Sequence, residues 1–251
     1  KKLLSDKTKI VAIGHISNSL GTINPVKEII SLAKAKSKDI AVVVDGAQAI
    51  HHTKVDVRDI GADFYVFSSH KMYGPMGIGV LYGRAELLEA MPPYQTGGDM
   101  ISTVSFKGTT YNDIPMKFEA GTPNVEGAVG LAAAIDYIST IGFEEIHKQE
   151  TELLEYATEQ LDLIRGLRII GTAKEKTGVV SFVVEGLNAL DIGIMLDTSG
   201  VAVRTGQHCT EPLMERFGIP GTVRASFAFY NTKDEIDVFV NALKKAIEIL
   251  K

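Results

Sequence analysis

The chain has 251 residues, 45% of them apolar, a net charge of -5 and a single cysteine. That size and apolar content suffice for a substantial core in one large domain or two modest ones, and the negative balance supplies no basic field for a polyanion, which argues against a nucleic-acid partner. No apolar run reaches bilayer length and no apolar stretch precedes a cleavage site, so a cytoplasmic protein off the membrane is expected; one thiol excludes a disulfide framework and a cysteine-built zinc site.

Apolar runs of strand length alternate with helical patterns along the chain. Lys9 to Gly14 reads as a strand and Pro25 to Lys36 as a helix, with Val26, Ile29, Ile30 and Ala33 at helical spacing. Ile40 to Val44 then completes a strand-helix-strand unit of the parallel-sheet kind. Phe64 to Phe67 and Gly77 to Tyr82 add two strands, whereas Pro92 to Asn124 is rich in Gly, Thr and Pro and lacks sustained periodicity. Helical patterns follow over Val125 to Ile141 and Phe143 to Leu163, then strand-like Gly178 to Val184 and Gly200 to Arg204. An apolar strand surrounds Arg224 up to Tyr230, and Lys233 to Leu250 is the last helix. The expected class is α/β. Residues 1–141 form the C-terminal portion of a mainly parallel large domain with its joining helix, and residues 142–251 form a smaller C-terminal α+β domain.

Ligands in such sheets bind at the carboxyl ends of the strands. Asp45 follows the strand Ile40 to Val44, with Gln48 three positions on, and Ser68-Ser69-His70-Lys71 follows the strand Phe64 to Phe67. A carboxylate buried at such a strand end needs a partner, and a Lys there is costly to bury without a purpose. An Asp and a Lys on neighbouring strand ends suit pyridoxal 5'-phosphate, which is held by a Lys amine while a carboxylate keeps its ring nitrogen protonated. A turn-capping Asp or a plain Asp-Lys salt bridge would explain the pair without needing Gln48, Ser68 or His70. Cys209, in Arg204-Thr205-Gly206-Gln207-His208-Cys209, is either a small buried hydrophobe or, given basic groups close in sequence, a reactive thiolate. His51 and His52 are adjacent and would point in opposite directions in an extended segment, so with His15 they make no metal site; His147 reads as a solvated residue of an acidic helix.

The segments VVVDGAQAIHH, FYVFSSHKMYGPMGIGVLY, FEAGTPN, VAVRTGQHCTEPLM and VRASFAFYNTKDEID occur in this order. Together they resemble the second half of the SufS-type (group II) cysteine desulfurases, in the aminotransferase class V branch of fold type I pyridoxal-phosphate enzymes. The short interval from Val203 to Pro212 is similar to group II as well. The resemblance implies that Lys71 holds the cofactor and removes the substrate's α-proton, that Asp45 partners the ring nitrogen and Gln48 the ring oxygen, and that Ser68 and His70 bind the phosphate. It implies that Thr122 reaches the phosphate of the neighbouring subunit of a homodimer, that Asn18, Arg224 and Arg204 serve the site and the substrate carboxylate, and that Cys209 takes sulfur from L-cysteine for a sulfur-acceptor protein of iron-sulfur assembly. Selenocysteine lyase and cysteine sulfinate desulfinase are the alternatives within the family. Relatives carry an N-terminal segment that this sequence lacks, with further strands, a phosphate-binding helix start and a cofactor-stacking histidine; a fragment of a complete enzyme is therefore expected, with an inactive scaffold as the other outcome.

Overall fold

The computed structural model describes residues 2–251. The chain divides into two compact units, one taking the chain up to His15 with Pro25–Thr140, the other Ile16–Asn24 with Ile141–Lys251.

In the first unit, β1 (Ile10–Gly14), β2 (Ala41–Asp45), β3 (Phe64–Ser68) and β4 (Gly79–Gly83) form one sheet in that order. The first three strands are parallel and β4 is antiparallel to β3, so the mainly parallel α/β character read from the sequence holds. Helix α1 (Val26–Lys36) lies between β1 and β2 in sequence. Its Val26, Ile30 and Ala33 share one face and pack with Val42, Val44 and Tyr65. The short α2 (Val57–Ile60) starts on the Asp56 carboxylate, which accepts the Arg58 and Asp59 amides.

Asp63, fully buried just before β3, accepts the Val42 amide at 2.7 Å and pairs with Lys34 of α1 at 2.6 Å and Arg84 at 3.1 Å. A buried carboxylate is tolerated only when its oxygens are satisfied in this way. The knot fixes α1, β2 and β3 to one another, and so sets where β2 and β3 end.

Beyond β4 come α3 (Ala85–Ala90), a hairpin of β5 (Ile101–Ser105) and β6 (Gly108–Tyr111), and α4 (Val125–Ile141). The hairpin lies inside the stretch expected to be irregular; its Thr-rich strands are exposed on both faces, so no alternation marks them. Asn124 caps α4 by accepting the Gly127 amide at 2.9 Å, and its side-chain amide donates to the Gly77 carbonyl at 3.2 Å. A Cβ at Gly130 would lie 2.8 Å from the Pro75 ring. The loop that follows Lys71 is thus clamped onto the start of α4.

In the second unit, α5 (Phe143–Asp162), β7 (Leu167–Ile170), β8 (Val179–Val184), α6 (Ala189–Asp197), β9 (Arg204–Gly206), α7 (Glu211–Phe217), β10 (Thr222–Ser226) and α8 (Lys233–Leu250) follow one another. The strands make an antiparallel sheet in the order β7-β8-β10-β9. Its core joins Phe182 and Val223 to Phe239 and Leu243 of α8, a helix that begins on a Thr232–Glu235 capping box. Ile16–Asn24, which the sequence places with the large domain, belongs to this unit because its partners are here. The Ser181 hydroxyl donates to the Ser19 carbonyl, and Thr22 bridges Lys176. The strand expected over Gly200 to Arg204 begins only at Arg204, since Gly200 turns the chain at φ 76°. The strand around Arg224 ends at Ser226 rather than at Tyr230.

Glu150 of α5 is 3% exposed and accepts the Phe229 amide; burial pushes its carboxyl up to about 8, against the pull of His147 and of that amide. The native state therefore binds a proton that the unfolded chain has lost between the usual carboxylate range and about 8, and Glu150's contribution to stability falls as pH rises through that window. Chemical denaturation at pH 5 and pH 8 is expected to show a decline that Glu150→Gln reduces. An undiminished decline in the variant would mean that another group sets it.

Candidate active site

The ends of β2 and β3 define the site in the first unit. Asp45 is the last residue of β2 and is aligned with Gly14 of β1 and Val66 of β3. Its carboxylate accepts the Ala47 amide at 2.9 Å, an Asx turn that redirects the chain off the sheet. At Gly46 a Cβ would lie 2.0 Å from the Tyr65 ring, so only glycine lets the backbone cross it. Tyr65 is 2% exposed, and its hydroxyl lies 3.0 Å from His15 Nδ1. Burial, followed by the Asp45 charge, holds the phenol protonated well above its usual range, and burial lowers the His15 imidazole. Asp45 thus sits beside a dry, neutral, hydrogen-bonded platform.

At the end of β3 the Ser68 hydroxyl lies 2.9 Å from His70 Nδ1, and the chain turns through one 3-10 turn, Ser69–Lys71. Ser69 is fully buried with its hydroxyl unpartnered. Gly74 is required beside it, since a Cβ there would come 2.1 Å from Ser69 Oγ. Lys71 is half-buried and, among the described residues, has no carboxylate partner. The Asp45–Lys71 salt bridge that the sequence leaves open does not form. Asp45 is exposed, not buried, because β2 ends at the open edge of the sheet.

Gln48 is half-buried in the turn after Asp45. His51 and His52 lie in the same turn with ring centroids 3.8 Å apart, so they do not diverge as an extended segment would require. His51 Nδ1 is buried and unpartnered; burial, then His52 and Lys71, pull His51 down to about 3, and burial pulls His52 to about 4. Among the described residues no group of three or more His, Cys, Asp and Glu could hold a metal ion. Thr122 is exposed just before α4, and no hydrogen bond joins it to Ser68 or His70.

The second unit brings together Asn18, Arg204, Arg224 and the Cys209 loop. Arg204 and Arg224 are cross-strand partners of β9 and β10. Like charges so placed repel, and burial followed by Arg204 pulls the half-buried Arg224 guanidinium below its usual range. Arg224 Nη1 donates to the Asn18 carbonyl at 2.7 Å, while its buried Nε has no partner. An unspent guanidinium N–H beside a second guanidinium is a receptor for an anion, above all a carboxylate. The Asn18 side-chain amide donates to the His208 carbonyl at 2.7 Å, a commitment that the sequence does not reveal. Cys209 is exposed, which removes the buried-hydrophobe reading. His208 is not a basic neighbour: burial, then Arg224 and Arg204, bring it to about 4.

The model of the aminotransferase class-V family matches residues 1–239. A probable cysteine desulfurase of Xylella fastidiosa strain 9a5c is 50% identical over 248 residues, covering 99% of this chain and 59% of that protein. Among solved structures, the cysteine desulfurase CsdA of Escherichia coli in its S-sulfonic acid form aligns with a TM-score of 0.93 at 40% identity, covering 100% of this chain and 62% of that one. The apo cysteine desulfurase of Thermococcus onnurineus NA1 gives 0.92 at 42% identity, covering 96% and 60%. The chain spans about three fifths of the length of each of these relatives.

Proposed function

The chain belongs to the aminotransferase class-V family, and on that premise we propose that it carries the chemistry of a cytoplasmic cysteine desulfurase. L-cysteine is converted to L-alanine, and its sulfur is left on Cys209 as a persulfide for an acceptor protein of iron-sulfur cluster assembly. The observation that carries this reading is an exposed thiol, Cys209, on the loop between β9 and α7, directly after the strand whose Arg204 pairs with Arg224 of β10.

The strand-end residues fit pyridoxal 5'-phosphate. Among the described residues Lys71 has no carboxylate partner to displace and the buried Ser69 hydroxyl lacks a partner, and Ser68 and His70 present hydroxyl and imidazole donors. Lys71 would hold the cofactor through its amine, Asp45 would keep the ring nitrogen protonated, Gln48 would donate to the ring oxygen, and Ser68 and His70 would bind the phosphate. When bound, the cofactor supplies an electron sink for the charge released at the substrate's α-carbon. Arg224 holds the substrate carboxylate with its uncommitted N–H groups, with Arg204 beside it. The Lys71 amine takes the α-proton as general base. Cys209 thiolate then attacks the substrate sulfur: an S–S bond forms, the C–S bond breaks, the β-carbon left behind gains a proton, and the Lys71 ammonium returns a proton to the α-carbon to complete alanine. In a homodimer, exposed Thr122 serves the phosphate held by the neighbouring subunit.

The test is to incubate the chain with pyridoxal phosphate and L-cysteine and to follow alanine together with a 32 Da addition to the Cys209 peptide, about one sulfur atom. Both products are expected in equal amounts for the first turnover; alanine without the adduct would sink the reading. Arg224→Lys, which keeps the charge and loses the fork, is expected to raise KM for L-cysteine by about tenfold or more with a smaller change in kcat. Steady-state kinetics check this, and an unchanged KM would place the carboxylate elsewhere.

A further inference from the structure

On the desulfurase reading, we propose that Thr222, His208 and Asn18 form a closed hydrogen-bonded ring with Arg224 that fixes the conformation of Cys209, with His208 as a positioning residue. Thr222 Oγ1 and His208 Nε2 are 2.8 Å apart. The His208 carbonyl accepts from Asn18 Nδ2 at 2.7 Å, and the Asn18 carbonyl accepts from Arg224 Nη1 at 2.7 Å. Thr222 and Arg224 are two residues apart on β10 and therefore share a face of the sheet, which closes the circuit.

What the ring holds is an unfavourable backbone. His208 and Cys209 have φ of 54° and 59°, and no other consecutive non-glycine pair among the described residues is left-handed. Side chains with a Cβ adopt this region reluctantly, and such conformations persist where the surroundings over-determine them. The surroundings do so here. Thr222 is fully buried and His208 is 4% exposed. A Cβ at Gly221 would lie 2.9 Å from the Gly206 backbone, so β9 and β10 approach closely immediately before the ring.

His208 is neutral at physiological pH, and its Nδ1 is buried without a partner. With Nε2 engaged by Thr222 and Nδ1 buried, the ring is placed to hold the loop rather than to transfer a proton. Because Arg224 both anchors Asn18 and presents its remaining N–H groups to an anion, binding of a carboxylate there acts on the same guanidinium that braces the Cys209 loop.

The experiment compares Thr222→Val, which is nearly isosteric and cannot bond His208, with Thr222→Ser, which can. Hydrogen exchange is read at residues 207–210, where the Thr210 amide bonds the Gln207 carbonyl, together with single-turnover persulfide formation on Cys209 in the chain loaded with pyridoxal phosphate. Thr222→Val is expected to speed exchange of this loop about tenfold and slow persulfide formation about tenfold, with KM for L-cysteine within about twofold. Thr222→Ser is expected to restore both. Unchanged loop exchange in Thr222→Val, a loss that Thr222→Ser does not restore, or faster exchange spread equally over β8 and β10 would each overturn the ring. If the unaltered chain forms no persulfide, the desulfurase reading fails, and loop exchange alone still decides the ring.

Discussion

Lys71→Ala, loaded with pyridoxal phosphate and given L-cysteine, is expected to release alanine at least about a thousandfold more slowly than the unaltered chain. The size of the loss follows from two tasks placed on one amine. On the proposed function Lys71 would hold the cofactor through its amine and would also be the base that removes the α-proton. Its setting suits both: the last residue of a 3-10 turn after β3, half-buried, near enough to His51 to lower it, and without a carboxylate partner among the described residues. Because Lys71 has no ion pair to lose among the described residues, the melting temperature of the variant is expected to be close to that of the unaltered chain. Borohydride reduction and peptide mapping provide the independent readout, with a reduced cofactor adduct on the Lys71 peptide of the unaltered chain and none in the variant. Alanine release within about tenfold of the unaltered chain would remove Lys71 from both tasks.

Lys71 and Asp45 could be found in the sequence because strand ends are local features. An apolar run followed by polar and charged residues marks the carboxyl edge of a strand, and the parallel pairing of β2 and β3 puts both residues on one edge. What hydropathy does not carry is the set of contacts that makes the edge rigid. Asp63 looks like any residue of a turn, yet it is the buried carboxylate that ties α1 to β2 and β3. Tyr65 looks like a core aromatic, yet with His15, fifty positions away, it forms the platform under Gly46. His51 and His52 diverge only in an extended segment, and here the chain turns and brings their rings together. The second unit was harder to read for the same reason. Asn18 meets His208 across 190 positions and Arg224 across 206, and periodicity, which reports only a few residues at a time, contains no sign of either contact. The motif that contains Asn18 carries no sign that its side-chain amide donates to the His208 carbonyl.

The second large effect is expected at Cys209. Replacing it with Ala is expected to abolish the persulfide adduct and to cut alanine release from L-cysteine by about a hundredfold or more, while the affinity for L-cysteine, which the proposed function assigns to Arg224, stays within about twofold. The split between binding and turnover matters, because Arg204 belongs to the strand that leads into the Cys209 loop and pairs with Arg224 of β10, so a disturbed loop would affect both. Selenocysteine separates the remaining possibilities. Its carbon–selenium bond breaks without an enzyme thiol to attack it, so Cys209→Ala is expected to keep releasing alanine from selenocysteine at a rate near that of the unaltered chain. Loss with both substrates would mean that the substitution had damaged the carboxylate receptor or the proton transfer at Lys71. Undiminished turnover of L-cysteine would mean that the C–S bond breaks without Cys209, and the exposed thiol on its left-handed backbone would then need another explanation.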